Sequence, residues 1–408
     1  MANSVSHHSN NNRAIANGAA APNIGFKMLS NEDGSLSSAT VLDAFRSMRE
    51  ATDDFIVKNK IDTYCSEFIP RSDELAIAVF CNAFEELGCP IRSAAPGTKL
   101  ERIKHLPRHE KLIDYMYRAL EKKAGLIETN GEEITRTSVA CPSSEIEDIL
   151  EDLLDDRPAQ EWELGLMHRT GESFAKCLSG KADPLQLLFG SDEGRTLMTN
   201  FYAKSPLFST ILQQLAVFIE KIGSTWPKDA GPLRVLEVGA GTGCMTFKIV
   251  PVLARLGIPV VYTMSDISSV FVSAAQKKLE EYPFVEYKVV DIEKEPDATL
   301  QNTQHIVLGS NVLHATRDLS VSLANIRKML RPDGFTIFHE LTAQMLWADV
   351  AFGLISGWWA FEDERQHALQ SPQYWGKVLS SVGFGHVGWN DGLRPETKIQ
   401  NLIFAMAS

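Results

Sequence analysis

From about Asn200 onward, short β-branched runs alternate with helix-length stretches, the runs falling at residues 234–238, 260–265, 285–290, 305–310 and 336–339. Strands separated this way do not pair as hairpins. They pair in parallel through crossovers, which lay helices over both faces of one sheet. In an open sheet of this kind, ligands bind beyond the carboxyl ends of the strands. The residues directly after each run are therefore the ones that carry chemistry.

The first run closes on Glu237 and Val238 and leads into Gly239, Gly241 and Gly243. Glycines there let the backbone turn tightly and approach a ligand closely, with a helix N-terminus behind them. The spacing is G-x-G-x-G with an acid in front, which departs from the dinucleotide fingerprint G-x-G-x-x-G. A pyrophosphate gains nothing from a carboxylate at that point, whereas a cofactor with an ammonium and a sulfonium does. Asp266 closes the second run, placed to take both ribose hydroxyls, and Asp291 closes the third, placed to meet an adenine edge. Each alone also reads as a helix cap. Taken together they point to S-adenosylmethionine.

The fourth run is followed by Asn311, Val312, Leu313 and His314, and the fifth ends in His339 and Glu340. Neighbouring strands lie about 4.8 Å apart, so residues at their carboxyl ends can meet. His314 and Glu340 are then a candidate hydrogen-bonded pair, with Asn311 beside the cofactor. His339 alternates to the opposite face of its strand. An imidazole oriented by a carboxylate is a general-base arrangement. Methylating carbon requires a proton to leave first, so such a base points to C-methylation or to O-methylation of a hydroxyl. The bland alternative makes His314 a helix cap and Glu340 a surface acid. Residues 330–334, with Pro332, Asp333 and Gly334, read as a turn into the fifth run.

The preceding half has a different character. Residues 1–25, with His7, His8, Asn10 to Asn12 and then Ala19 to Ala21, read as a flexible linker, as if the segment came from a longer polypeptide. Residues 26–195 read as a mainly helical cap or lid domain. Val41, Phe45, Met48 and Phe55 recur at helical spacing, as do Leu75, Val79, Phe80 and Phe84. Ser144 and Glu147 form a capping box ahead of the apolar stripe Ile146, Ile149, Leu150, Leu153 and Leu154. Residues 196–408 form the third unit.

Composition narrows the function classes. Against 40 Lys and Arg stand 52 Asp and Glu, a formal charge of −12. That balance disfavours a nucleic-acid partner, which requires a basic surface. The six cysteines include no C-x-x-C pair, and the ten histidines show no ligand spacing. The chain reads as a reduced, cytoplasmic protein with no dedicated metal site. No apolar run reaches the ~18–20 residues of a membrane span, and the N-terminus lacks the apolar core of a signal peptide.

Residues 200–408 resemble the class I S-adenosylmethionine-dependent methyltransferases. Further along, residues 352–359 (with Phe352, Trp358 and Trp359), 371–375 (with Tyr374 and Trp375) and 382–384 are similar to the C-methyltransferase domain of fungal non-reducing polyketide synthases. The resemblance implies an α/β fold: a Rossmann-like core with a seven-stranded, mostly parallel sheet, preceded by a mainly helical N-terminal domain. It implies a catalytic pair at His314 and Glu340, and a tyrosine near cofactor or substrate at Tyr202. Without the family, Tyr202 reads as core. It also implies transfer of a methyl from S-adenosylmethionine to the α-carbon of a β-ketoacyl thioester. The substrate would be tethered by phosphopantetheine to an acyl carrier protein, alongside the other domains of the same synthase. Phe352, Trp358, Trp359 and Phe361 read either as a packed helix face or as the wall of an acyl pocket, with one of the two tryptophans lining it. Rival readings are an O-methyltransferase acting on a phenol, an inactive structural domain and, more distantly, an oxidoreductase.

Overall fold

The computed structural model describes residues 34–143 and 145–408. The linker expected over residues 1–25 and the capping Ser144 lie outside the described residues. We number the strands in chain order. Three short ones, β1 (Lys99–Leu100), β2 (Ile127–Asn130) and β3 (Glu133–Arg136), form a small antiparallel sheet in the otherwise helical N-terminal half.

The main sheet has seven strands: β4 (Leu233–Val238), β5 (Val260–Asp266), β6 (Val285–Val289), β7 (Gln304–Ser310), β8 (Leu330–Leu341), β9 (Val387–Trp389) and β10 (Gln400–Met406). Their spatial order is β6-β5-β4-β7-β8-β10-β9. The strands from β6 to β8 run parallel, and β10 and β9 close the edge antiparallel. The order reverses between β4 and β7, which opens the crevice at their carboxyl ends where doubly wound sheets bind ligands. β7 and β8, at the middle of the sheet, are buried along most of their length, with mainly apolar centres at residues 306–308 and 335–338.

Residues 330–334, expected as a turn, instead begin β8. Leu330 pairs with Gln304, and a bulge between Gln304 and Ile306 absorbs Pro332. Arg331 and Asp333 are held there by each other and by Gly34 and Leu36.

The apolar cores do not follow chain order. The helix Ser38–Glu50 leaves the helical half and packs on the sheet, where Phe45 stacks on Phe404 at 4.4 Å. In the other direction, residues after β8, including Trp347, Phe352 and Trp358, are buried with the helical half. A boundary at 195/196 is thus crossed by apolar contacts from both sides. This interlock sets the helical half over the crevice, because each unit buries a piece of the other. Among the described residues no helix is long and apolar enough to cross a membrane, and all six cysteines are free thiols.

Candidate active site

The chain leaves β7 through Asn311, whose φ of 49° lies in the left-handed region that Asn tolerates. That turn swings the short helix Leu313–Ala315 over the end of β8. Ser310 and His339 are register partners, so Asn311 and Glu340 follow side by side at the two strand ends. Asn311 ties the two strand ends together: its amide donates to His339 O at 2.7 Å, and its Oδ1 accepts from Leu341 N at 3.1 Å.

Glu340 is fully buried and both its oxygens are used. Oε1 accepts from the backbone amides of Val312 and Leu313 at 3.2 and 2.9 Å, and Oε2 meets His314 Nδ1 at 2.7 Å. An ionised carboxylate only accepts, so Nδ1 carries the proton and Nε2 keeps a lone pair. From behind, the Arg365 guanidinium donates to His314 O at 3.0 Å and clasps Thr316 O. His339, on the opposite face as its alternation predicts, is sealed between Ser310 Oγ and Gln400 Oε1, both at 2.9 Å. Burial lowers its pKa to about 4, so it stays neutral and structural.

His314 lines an apolar pocket of about 600 Å3, open space included, with Tyr202, Phe208, Leu341, Phe352 and Trp358. The Tyr202 phenol is pushed upward by burial and then by the neighbouring Cys244 and Glu340, so it remains a hydrogen-bond donor. Of the paired tryptophans only Trp358 belongs to this wall. Trp359, expected as a pocket residue, packs instead against Tyr115 and His367 and donates to Gly353 O at 2.8 Å. The short helix Ser356–Trp359 points successive side chains apart, which separates the pair.

A second cavity of about 720 Å3, open space included, is lined by Gly239, Asp266, Asp291, Asn311 and Val312. It shares Asn311 and Ala315 with the apolar pocket, so the two meet beside His314. Asp266 braces the glycine turn: Oδ2 accepts from Gly241 N and Oδ1 from Ser268 N, each at 2.8 Å. Asp291 accepts from Glu293 N at 3.0 Å and pairs with Lys294. Gly239 has φ 59°, and a side chain there would strike Val312 at 2.1 Å.

Three residues expected at the cofactor are not on the lining of this cavity. Gly241, φ 53°, lies at a neighbouring groove with Thr242, Val270 and Phe271. Gly243 turns the chain toward the helix Thr246–Leu256 and lines neither cavity. Glu237 sits buried beneath the loop, where its Oε2 accepts from Thr246 and, at 2.6 Å, from the Tyr262 hydroxyl. Burial raises its pKa to about 7. Its position is that of a support for the glycine turn rather than of a group on the cavity lining.

Phe208, Leu341 and Arg365 also belong to the site and carry no motif or period in the sequence, since they reach it from separate elements.

A family model described as a methyltransferase helix-turn-helix domain matches residues 46–134, and one described as a methyltransferase domain matches 236–336. The chain is 70% identical over 373 residues to the non-reducing polyketide synthase AC of Didymella fabae, covering 91% of this chain. It is 48% identical over 410 residues to the citrinin polyketide synthase of Monascus ruber, covering 100% of this chain. It spans only 14% and 16% of the length of these two relatives. Among solved structures, the citrinin polyketide synthase CMeT domain matches with 51% identity and a TM-score of 0.89, over 92% of this chain and 99% of that one. The CurJ carbon methyltransferase matches with 26% identity and a TM-score of 0.81, over 90% and 99%. The helical half, the seven-stranded sheet and the crevice between them are thus those of a known group, and the chain belongs to the S-adenosylmethionine-dependent carbon-methyltransferase domains of polyketide synthases.

Proposed function

We propose that this domain methylates the α-carbon of a β-ketoacyl thioester carried on the phosphopantetheine arm of an acyl carrier protein, with His314 as general base and Glu340 as its orienting partner. The observation that carries the reading is the His314–Glu340 hydrogen bond at the point where an apolar pocket meets an acid-lined cavity.

The acid-lined cavity fits the donor by its chemistry. Asp266 and Asp291 are acceptors for hydroxyl and amino donors, and Gly239 leaves room that a side chain would fill. Asp266, Asp291, Gly239 and Asn311 would hold it there, with Glu237 and Gly243 shaping the loop behind. When bound, S-adenosylmethionine supplies a methyl group made electrophilic by its sulfonium.

This chain's residues prepare the acceptor. A carbon between two carbonyls is acidic enough for an imidazole to deprotonate. His314 Nε2 takes that proton, and Glu340 offsets the charge gained on the ring. The Tyr202 hydroxyl, held neutral by its surroundings and lining the same pocket, would donate to the oxygen where enolate charge collects. Phe208, Leu341, Phe352 and Trp358 exclude water from that carbanion. Holding the partners in one crevice supplies much of the acceleration.

The test is incubation with S-adenosylmethionine and a β-ketoacyl thioester of a pantetheine mimic, the new methyl being located by NMR. A product methylated at the α-carbon supports the reading. Methyl transfer to oxygen, or none with the parent chain and full donor binding, overturns it.

A further inference from the structure

Behind the pocket lies a buried carboxyl group that the mechanism above does not use. The helix Leu346–Phe352 carries Asp349 and Phe352 one turn apart, and Asp349 is 0% exposed. Its Oδ1 accepts from Trp358 Nε1 at 3.0 Å and from His367 Nε2 at 2.8 Å. The state of His367 follows from its other nitrogen. Nδ1 accepts the Leu369 amide at 3.0 Å, so it holds the lone pair and Nε2 holds the proton. His367 and Trp358 thus both donate to one oxygen of Asp349.

The Trp358 indole is thereby gripped at its N–H. Phe352 stacks on it with centroids 5.6 Å apart and an interplanar angle of 29°. The indole also meets the imidazole of His314, centroids 5.3 Å apart at 73°. Glu340 fixes one nitrogen of that imidazole, yet a single hydrogen bond leaves the ring free to turn about it. The indole takes up that freedom.

We propose that Asp349 is a positioning residue for proton abstraction: by anchoring the Trp358 indole, it sets the plane in which His314 faces the acyl pocket. This rests on the reading of His314 as the base. Leaving a buried acceptor's partners unpaired loosens the side chains they belong to, and the looseness is felt where Trp358 touches His314.

Asp349→Leu removes the acceptor, Asp349→Asn keeps an oxygen, and Trp358→Phe removes the N–H while leaving a ring. Turnover is measured with S-adenosylmethionine and the β-ketoacyl thioester, and donor affinity by calorimetry. We expect Asp349→Leu and Trp358→Phe each to lower kcat about tenfold, with the donor Kd within about twofold of the parent. Asp349→Asn should recover most of the rate, and Asp349→Leu added to Trp358→Phe should cost less than about twofold more. Fully additive losses overturn the proposal, as does a Trp358→Phe variant that turns over like the parent, whether or not Asp349→Leu folds. In protein labelled with 5-fluorotryptophan, the Trp358 fluorine resonance should move in Asp349→Leu and return in Asp349→Asn; an unmoved resonance also overturns it. Full activity of His314→Ala alongside a moving resonance instead brings down the base assignment alone.

Discussion

His314 Nδ1 lies 2.7 Å from Glu340 Oε2, and the other oxygen of that carboxylate binds the two backbone amides that precede the histidine. One buried acid therefore holds the imidazole and the loop bearing it. The pair stands where the apolar pocket and the acid-lined cavity join, so changes to either residue separate binding from chemistry.

His314→Ala removes the proposed base without touching the cofactor loop. The expected loss is about 100- to 10,000-fold in kcat, or ~3–5.5 kcal/mol, with donor affinity nearly intact. Titration calorimetry beside a turnover assay checks this; lost donor binding would contradict the assignment.

Glu340→Gln and Glu340→Ala should differ. Gln keeps an acceptor for the loop amides but loses the charge that supports a cationic imidazole, so kcat falls about 10- to 100-fold with little change in Tm. Ala leaves the amides of Val312 and Leu313 unpaired and adds a stability loss of about 1–3 kcal/mol. Urea unfolding of both variants makes the distinction.

Gly241→Val places a β-branched residue at φ 53°, where open space adjoins the loop. The strain is local, at the turn that Asp266 braces. The fold should survive while donor binding is abolished, read as loss of the donor-induced rise in Tm. An unchanged rise would detach this turn from the cofactor.

Glu237 gives a pH signature. Its folded pKa of about 7 stands above the ordinary 4.5. Its protonated form therefore contributes stability that is complete below about pH 4.5 and is gone once the pH has risen through about 7. Glu237→Gln keeps an acceptor for Thr246 and Tyr262 without the charge. Relative to the parent, the variant should gain about 3 kcal/mol between pH 4.5 and 7.5, measured by urea unfolding across that range. A constant difference between the two proteins would contradict the buried placement.

The two tryptophans should respond differently. Trp358→Ala opens the pocket wall and raises KM for the acyl substrate. Trp359→Ala, away from the pocket, costs about 3–5 kcal/mol of stability while KM stays near the parent value. Chemical unfolding paired with kinetics on each variant decides between them.

Much of this was readable along the chain because it depends on short-range rules. Alternating β-branched runs and helices dictate a parallel sheet, and the end of each strand dictates where Gly239, Asp266, Asp291, Asn311 and His314 gather. Period-2 alternation already placed Glu340 and His339 on opposite faces, and the strand ends deliver both as expected. Other features depended on packing between segments far apart in sequence, which no local period encodes. Phe45 joined the sheet through Phe404, residues 347–359 joined the helical half, and Glu237 was drawn under its own loop by Tyr262. Which tryptophan faces the pocket was likewise a matter of tertiary contacts: Trp358 Nε1 donates to Asp349 and its ring meets His314, whereas Trp359 Nε1 donates to Gly353 O and its ring packs on Tyr115 and His367.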